Sequence, residues 1–393
     1  MIFDGSVFCR RSITTLLLFS FVLHGYAQDD FDSFRQEQLD AMQNMSEENT
    51  SYSDAVSQEF DAYYDEQNRL FELYQAEIED KWDEFKASSS HIYVDYDEDF
   101  KSRTSVDFEN GEINIEVLVD DDPGKGSQQK QQTAESLVEK RVARLLKQKA
   151  EDRQQLLKDQ VRNRSGTKVT QKSSQQYAKE VVEHIPLSKE KIVAGDGQSR
   201  VKYSVKIKMI PNHIEIRAKR FKADILKQAE RFNIDPAVAF AVMQTESYFN
   251  PNARSHVPAY GLMQLVPKSG ARDAYRYIYK QDKLLKDTYL YNPKNNIELG
   301  CAYLGKLRHV YFKDIQNNQA AYYCTISAYN TGPGNVAKAF TGGTKLRPAA
   351  KTVNKMTADQ VYKTLMSKLP YEETKDYLEK VNSRVDNYQA WSK

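Results

Sequence analysis

Residues 235–252 read DPAVAFAVMQTESYFNPN. Asp235 is a residue type that caps helix N-termini, and Pro236 suits the first helical position, where its missing N–H costs nothing. The helix they open runs through Val238, Ala241, Val242 and Thr245. It must stop before Pro251, because a residue preceding proline is pushed out of the helical region. Glu246 therefore falls in or near the last turn. The negative end of the helix dipole disfavours a second negative charge there, and Ala239 to Met243 just before it are apolar, so both effects raise its pKa. A carboxylic acid kept protonated near neutral pH is what a general acid needs. A lone helical glutamate is more often a surface residue, so its surroundings have to carry the case.

Upstream, Ile216 to Phe232 carries Ala218, Phe221, Ile225 and Ala229 at helical spacing, and from Pro211 to the end the chain reads as helices separated by turns. Before Pro211 the period changes. Val201, Tyr203, Val205, Ile207 and Met209 alternate, as do Ile92, Val94 and Tyr96, then Val106 and Phe108, then Ile113, Ile115 and Val117. Asn110-Gly111 between the last two runs is a strong hairpin signal. Between these strands, Ala134 to Val161 places Leu137, Val142, Leu145, Leu146, Leu156 and Leu157 in a basic helical frame able to cover one face of a sheet. The expected class is α+β: a small sheet-plus-helix domain over 90–210 followed by an all-α domain over 211–393.

The 393 residues carry a net charge of only +1, but the spread is uneven. Residues 28–100 hold 22 acids against 4 bases, whereas 101–393 hold 32 acids and 50 bases. Phe31 to Phe85 lacks Gly and Pro, and Phe71, Tyr74, Ile78, Trp82 and Phe85 fall on one helical face, so 28–89 reads as an acidic helical arm, a solvated spacer or interaction surface. Arg10 and Arg11 precede the apolar run Ile13–Leu23, and Gly25-Tyr26-Ala27 offers small residues for signal peptidase; 1–27 reads as a secretory signal. The run is shorter than the ~20 residues of a membrane-spanning helix, and an uncleaved anchor is the alternative. Cys9 precedes the run, so it is not a lipoprotein cysteine. An exported chain then keeps Cys301 and Cys324, either as a disulfide or as two buried thiols. No Cys or His cluster has metal-ligand spacing and no Gly-rich loop follows a strand, so neither a metal nor another cofactor is expected. No nucleic-acid motif accompanies the basic body, and His256 reads as a loop residue.

Further blocks surround Glu246-Ser247: Asn250-Pro251-Asn252-Ala253, then Gly261-Leu262-Met263-Gln264 opening a new helix, then Ser327-Ala328-Tyr329-Asn330-Thr331-Gly332, and finally Glu373-Thr374 with Tyr377-Leu378. In this order they closely resemble the soluble-lytic-transglycosylase family of peptidoglycan-cleaving enzymes, over roughly 211–390. The segment before it resembles the N-terminal domain of the membrane-bound lytic murein transglycosylase C subgroup. The resemblance implies a goose-lysozyme-like helical catalytic domain, with peptidoglycan glycan strands as substrate. It implies Glu246 as the acid, Ser247 touching the acid or the muramoyl N-acetyl group, Met263 and Gln264 lining the cleft, Tyr329 and Asn330 holding the sugar beside the scissile bond, and Tyr377 near the acid.

Glycoside hydrolysis ordinarily uses two carboxylates, and only one obvious candidate is present. One suffices if the substrate's N-acetyl carbonyl stabilises C1 and its C6 hydroxyl attacks, giving a 1,6-anhydromuramoyl end. A hydrolytic lysozyme on the same fold and a non-catalytic wall-binding protein are the alternatives. The subgroup is lipid-anchored, whereas here no cysteine stands at the end of the signal run to carry a lipid, so the expected location is the periplasm, with peripheral outer-membrane association left open. Wall or membrane partners would meet the acidic arm or the basic helix.

Overall fold

The computed structural model describes residues 58, 61–150, 154–255 and 259–391. The signal segment, Cys9, the front of the acidic arm and His256 lie outside the described residues. A helix over 61–79 (α1) leads into five strands: β1 (Ile92–Tyr96), β2 (Ser102–Asp107), β3 (Glu112–Asp120), β4 (Ser188–Val193) and β5 (Ser199–Lys208). They form one antiparallel sheet in the order β1-β2-β3-β5-β4. Ile113, Ile115, Val117 and Val119 of β3 alternate onto one face, with Val205 and Ile207 of β5. Helices α2 (Ser127–Lys147) and α3 (Ser174–His184) cover that face through Val138, Val142, Leu145, Leu146, Ala178 and Val181.

The expected hairpin is present. Asp107 pairs with Glu112 across a four-residue turn in which Gly111 has φ +64°. Only glycine adopts that conformation cheaply, and a Cβ there would lie 2.6 Å from the His213 ring. The Asp107 carboxylate accepts hydrogen bonds from the Glu109 and Asn110 amides, both at 2.9 Å, which fixes the turn.

Three expectations need correction. The arm's helix ends at 79, so Trp82 and Phe85 are not on its face. The amides of Gly195 and Asp196 take the carbonyls of Glu79 and Asp80, capping the helix from the β4–β5 turn, and a Cβ on Gly195 would sit 2.5 Å from the Glu79 oxygen. Nor is this part of the arm a solvated spacer. Ile78 and Trp82 pack with Tyr96, Leu118 and Ile192 on the second face of the sheet, where buried Arg103 stacks 4.2 Å from the Trp82 ring and makes a two-pronged ion pair with Glu116. Finally, α2 stops at Lys147. Leu156, Leu157 and Val161 are buried from a looped segment whose Leu156 amide bonds back to Gln148, because a loop can feed the same core without continuing the helix. Two elements went unread: α3, and β4, an edge strand whose only buried residue is Ile192.

The remaining chain is helical: α4 (His213–Arg231), α5 (Pro236–Ser247), α6 (Arg272–Tyr279), α7 (Asp287–Leu290), α8 (Pro293–Lys306), α9 (Asn318–Thr331), α10 (Pro333–Thr341), α11 (Leu346–Val353), α12 (Ala358–Lys368) and α13 (Glu372–Val385). The predicted face of α4, Ala218, Phe221, Ile225 and Ala229, is buried. Helix α5 is buried continuously from Ala237 to Gln244, as befits a helix with apolar residues all round it. Cys301 on α8 and Cys324 on α9 are free, buried thiols rather than a disulfide. Among the described residues, no helix is long and apolar enough to cross a membrane.

Candidate active site

Asp235 caps α5, accepting from the Ala237 amide at 2.8 Å, with Pro236 in the first turn. At the other end Tyr248 adopts φ 48° and Phe249 φ 61°, two consecutive left-handed residues that turn the chain sharply. Such conformations cost on the order of 1–3 kcal/mol each and need outside support. The helix thus ends just beyond Glu246, whose side chain borders a cavity of about 680 Å³. The Tyr377 hydroxyl, from α13, donates to Glu246 Oε1 at 2.7 Å. Burial pushes the Glu246 carboxyl up to about 8; the Tyr377 hydrogen bond pulls it back, and the charge of Glu373 adds to the rise. The raised value favours the protonated acid near neutral pH. With Oε1 accepting from Tyr377, Oε2 is the oxygen that can carry and deliver the proton. Tyr377's own hydroxyl is raised well above the usual phenol range by burial, so it stays a donor.

The segment 259–266 forms the cavity floor through Ala259, Gln264, Leu265 and Val266, and its residues 261–264 are a set of turns, not the start of a helix. Gly261 has φ +74°, and a Cβ there would lie 2.6 Å from both Asn296 Nδ2 and the Leu290 oxygen. Fully buried Asn296 clamps the turn: Nδ2 donates to Tyr260 O and Leu290 O, each at 2.8 Å, and Oδ1 accepts from the Met263 amide at 2.7 Å. Tyr329 Oη donates to Met263 O at 2.8 Å, and Ser247 Oγ donates to Leu262 O at 2.6 Å.

These contacts sort the residues singled out in the sequence. Glu246, Gln264, Tyr329, Asn330 and Tyr377 line the cavity together. Ser247 and Met263 do not. Ser247 is wholly buried and spends its hydroxyl on Leu262 and Met243, and Met263 is wholly buried beneath the floor against Gly300. Ser247, expected at the acid or the muramoyl N-acetyl group, and Met263, expected in the cleft lining, are therefore both buried away from the cavity surface, although adjacency in sequence put them next to it. Gln264, at φ 44°, has its amide nitrogen bound to Ala253 O and Gly261 O, while its buried Oε1 has no hydrogen-bond partner among the described residues. Asn330 Oδ1 accepts from Thr374 Oγ1 at 2.7 Å, joining α9 to α13.

Other lining residues were not read from the sequence. Glu373, Asp376, Lys380 and Arg384 join Tyr377 along one face of α13 at steps of three and four, a pattern the sequence contained once the helix was known. Ser90, His91 and Glu109 come from the sheet domain, and no local signal marked them.

Residues 224–349 match the transglycosylase SLT domain, and residues 58–220 match the N-terminal domain of membrane-bound lytic murein transglycosylase C. Over 339 residues the chain is 32% identical to the membrane-bound lytic murein transglycosylase C of Pectobacterium atrosepticum, covering 85% of this chain and 93% of that protein. The chain belongs to the membrane-bound lytic murein transglycosylase C family. It is a peptidoglycan lytic transglycosylase. A Klebsiella pneumoniae (strain 342) member is 31% identical over 302 residues, 76% of this chain and 81% of that one. With a member from Klebsiella pneumoniae subsp. pneumoniae, identity is 40% over 190 residues, which span about half of each: 48% of this chain and 52% of the relative. Among solved structures, an inactive mutant of the lytic transglycosylase Slt from Pseudomonas aeruginosa matches at 29% identity and a TM-score of 0.33, over 43% of this chain and 24% of that one. The family's N-terminal match begins at residue 58, so it takes in helix α1, and its SLT match ends before α13, which carries Tyr377.

Proposed function

We propose that the enzyme cleaves the β-1,4 bond between N-acetylmuramic acid and N-acetylglucosamine without water, leaving 1,6-anhydromuramoyl ends, and that it remodels the cell wall from the periplasm after export. The observation that carries this reading is the Glu246 carboxyl at the border of the cavity, held by the Tyr377 hydroxyl at 2.7 Å and pushed by burial toward its protonated form. Glu246 donates its proton to the glycosidic oxygen as the C1–O bond breaks. The N-acetyl carbonyl of the same muramoyl residue stabilises the cationic C1. The C6 hydroxyl oxygen then bonds to C1, and its proton passes to the Glu246 carboxylate, restoring the acid; no atom is gained or lost. Gln264, whose side chain lines the cavity, suits a sugar amide or hydroxyl, and Tyr329 and Asn330 wall the subsite beside the scissile bond. Ser247 and Met263 serve by holding the floor rather than by touching sugar. Outer-membrane or wall partners of the acidic arm and the basic α2 belong to this proposal as well.

Digestion of purified peptidoglycan, followed by mass analysis, tests it. Wild-type protein is expected to release anhydro-muropeptides and Glu246→Gln none. Reducing ends in place of anhydro ends would make the enzyme a hydrolase, with a carboxylate such as Glu373 activating water, and would end the proposal.

A further inference from the structure

The sheet domain reaches the catalytic cavity through Ser90 and His91, just before β1, and through the β2–β3 turn, and two separate tethers tie that turn to Tyr248, two residues beyond Glu246. The first passes through the backbone. Buried Arg217 of α4 donates from Nη2 to the Phe108 carbonyl in the turn and from Nε to the Tyr248 carbonyl at 2.9 Å. Its Nη1 donates to Gln160 Oε1 at 2.6 Å, and its guanidinium lies 4.7 Å from the Phe108 ring. A buried guanidinium answered by two carbonyls, an amide oxygen and the His213 ring rather than by a carboxylate is costly to hold, so each acceptor it has is needed. The second tether passes through the side chain. Tyr248 Oη donates to Glu109 Oε1 at 2.5 Å and accepts from Arg384 Nη2 of α13 at 2.6 Å. Arg384 Nη1 donates to Thr245 Oγ1 at 2.9 Å, so the clasp grips the residues on both sides of Glu246. His91 of the sheet domain meets the edge of the Tyr248 ring, with centroids 6.2 Å apart.

We propose that the β2–β3 turn is a working part of the catalytic cleft, and that Glu109 is a positioning residue that holds the end of α5 through Tyr248. The inference rests on Glu246 being the acid. The geometry supports it in two ways. Tyr248 is held at φ 48°, a strained conformation that relaxes unless contacts impose it. And His91, Glu109, Thr245, Tyr248 and Arg384 line the same cavity as Glu246, so the clasp also closes the cavity on the side of the sheet domain. Opening it admits water and lets Arg384 swing free. The ionisable groups that line the cavity with Glu246 are Tyr377, Glu373, Asp376, Lys380 and Arg384 on α13, Tyr329 on α9, Tyr303 on α8, Tyr248 at the end of α5, and Glu109 and His91 from the sheet domain. Hydration of the carboxylate, a freed Arg384 and the loss of a neighbouring negative charge each favour ionisation of Glu246.

The test is the pH dependence of turnover on purified peptidoglycan for the full chain and its Glu109→Ala, Glu109→Gln and Tyr248→Phe variants, with thermal melts alongside. Glu109→Ala is expected to lower kcat about tenfold or more, with KM changed less than threefold, and to move the alkaline limb down by about half a pH unit or more. Glu109→Gln, which retains an acceptor for the Tyr248 hydroxyl, is expected to recover most of the rate. Should Glu109→Ala fail to fold, Tyr248→Phe removes the same contact from the other side and is read in the same way. Wild-type kcat and an unmoved alkaline limb in Glu109→Ala would overturn the inference. So would a rise in KM alone, which would make Glu109 a substrate contact instead. Absence of anhydro products from the wild-type chain would instead be a failure of the proposed reaction, seen before any variant is compared.

Discussion

Replacing Tyr377 by Phe removes one atom from the site, the hydroxyl that donates to Glu246 Oε1 at 2.7 Å. That hydrogen bond is stronger to the carboxylate than to the acid, so it pulls the Glu246 pKa down against burial, which holds it at about 8. A hydrogen bond to a charged group is worth about 1.5–3 kcal/mol net, and one pKa unit corresponds to about 1.4 kcal/mol, so its loss raises the pKa by roughly 1–2 units. Glu246 must start protonated. Activity is therefore present below its pKa and lost as pH rises through it, and a higher pKa carries activity to higher pH. In Tyr377→Phe the alkaline limb of kcat/KM is expected to move up by roughly 1–2 units. The rate at the optimum should fall about 10–100-fold, because the carboxyl loses the contact that orients it and becomes a weaker acid. Initial rates of anhydro-muropeptide release across pH 5–10 measure both. A rate loss with the limb unmoved or shifted down would refute the reasoning, since misplacement alone would lower the rate without that shift.

Three further outcomes follow from the same contacts. Because the folded-state pKa of Glu246 is raised from 4.5 to about 8, the stability it contributes as a neutral acid is present below the unfolded value and lost as pH rises through about 8. Glu246→Gln should thus melt above wild type at pH 9 and converge with it by pH 5, the gap being about 5 kcal/mol at most. Gly261→Ala meets Asn296 and Leu290 at 2.6 Å from a position with φ +74°, and should cost about 2–4 kcal/mol in urea unfolding as well as activity. Asn296→Ala leaves the Met263 amide and the Leu290 carbonyl unanswered and takes one of two donors from the Tyr260 carbonyl, which keeps the Leu265 amide, and should lower stability by about 3 kcal/mol in the same assay; a cost below 1 kcal/mol would show that the floor does not depend on the clamp.

Much of the fold was legible because it is written in short-range patterns. The cap at Asp235, the proline that follows it, the apolar face of α4 and the alternation in β1, β2, β3 and β5 each depend on residues a few positions apart, and each gave the element found. The errors lie where a distant contact overrides the local pattern. The acidic helix ends at 79 because a turn more than a hundred residues away takes its last carbonyls. The apolar spacing of Leu156, Leu157 and Val161 suits a helix, yet the same side chains reach the core from a loop. The edge strand β4 carries almost no apolar signal because it buries almost nothing.

The sequence alone determined the α+β class, the place of Glu246 in the last turn of a buried helix and the family to which the chain belongs, since residue types, spacing and motif order survive without coordinates. Which side chains face the cavity was decided only by tertiary structure. Ser247 and Glu246 are neighbours in the chain, yet the first is sealed under the floor and the second borders open space. Tyr377 lies 131 residues from Glu246 and meets it directly. Glu109 lies 139 residues from Tyr248 and holds it. A side chain's direction, its burial and hence its pKa depend on what packs around it, and in this molecule those partners come from the sheet, from α9 and from α13 at once.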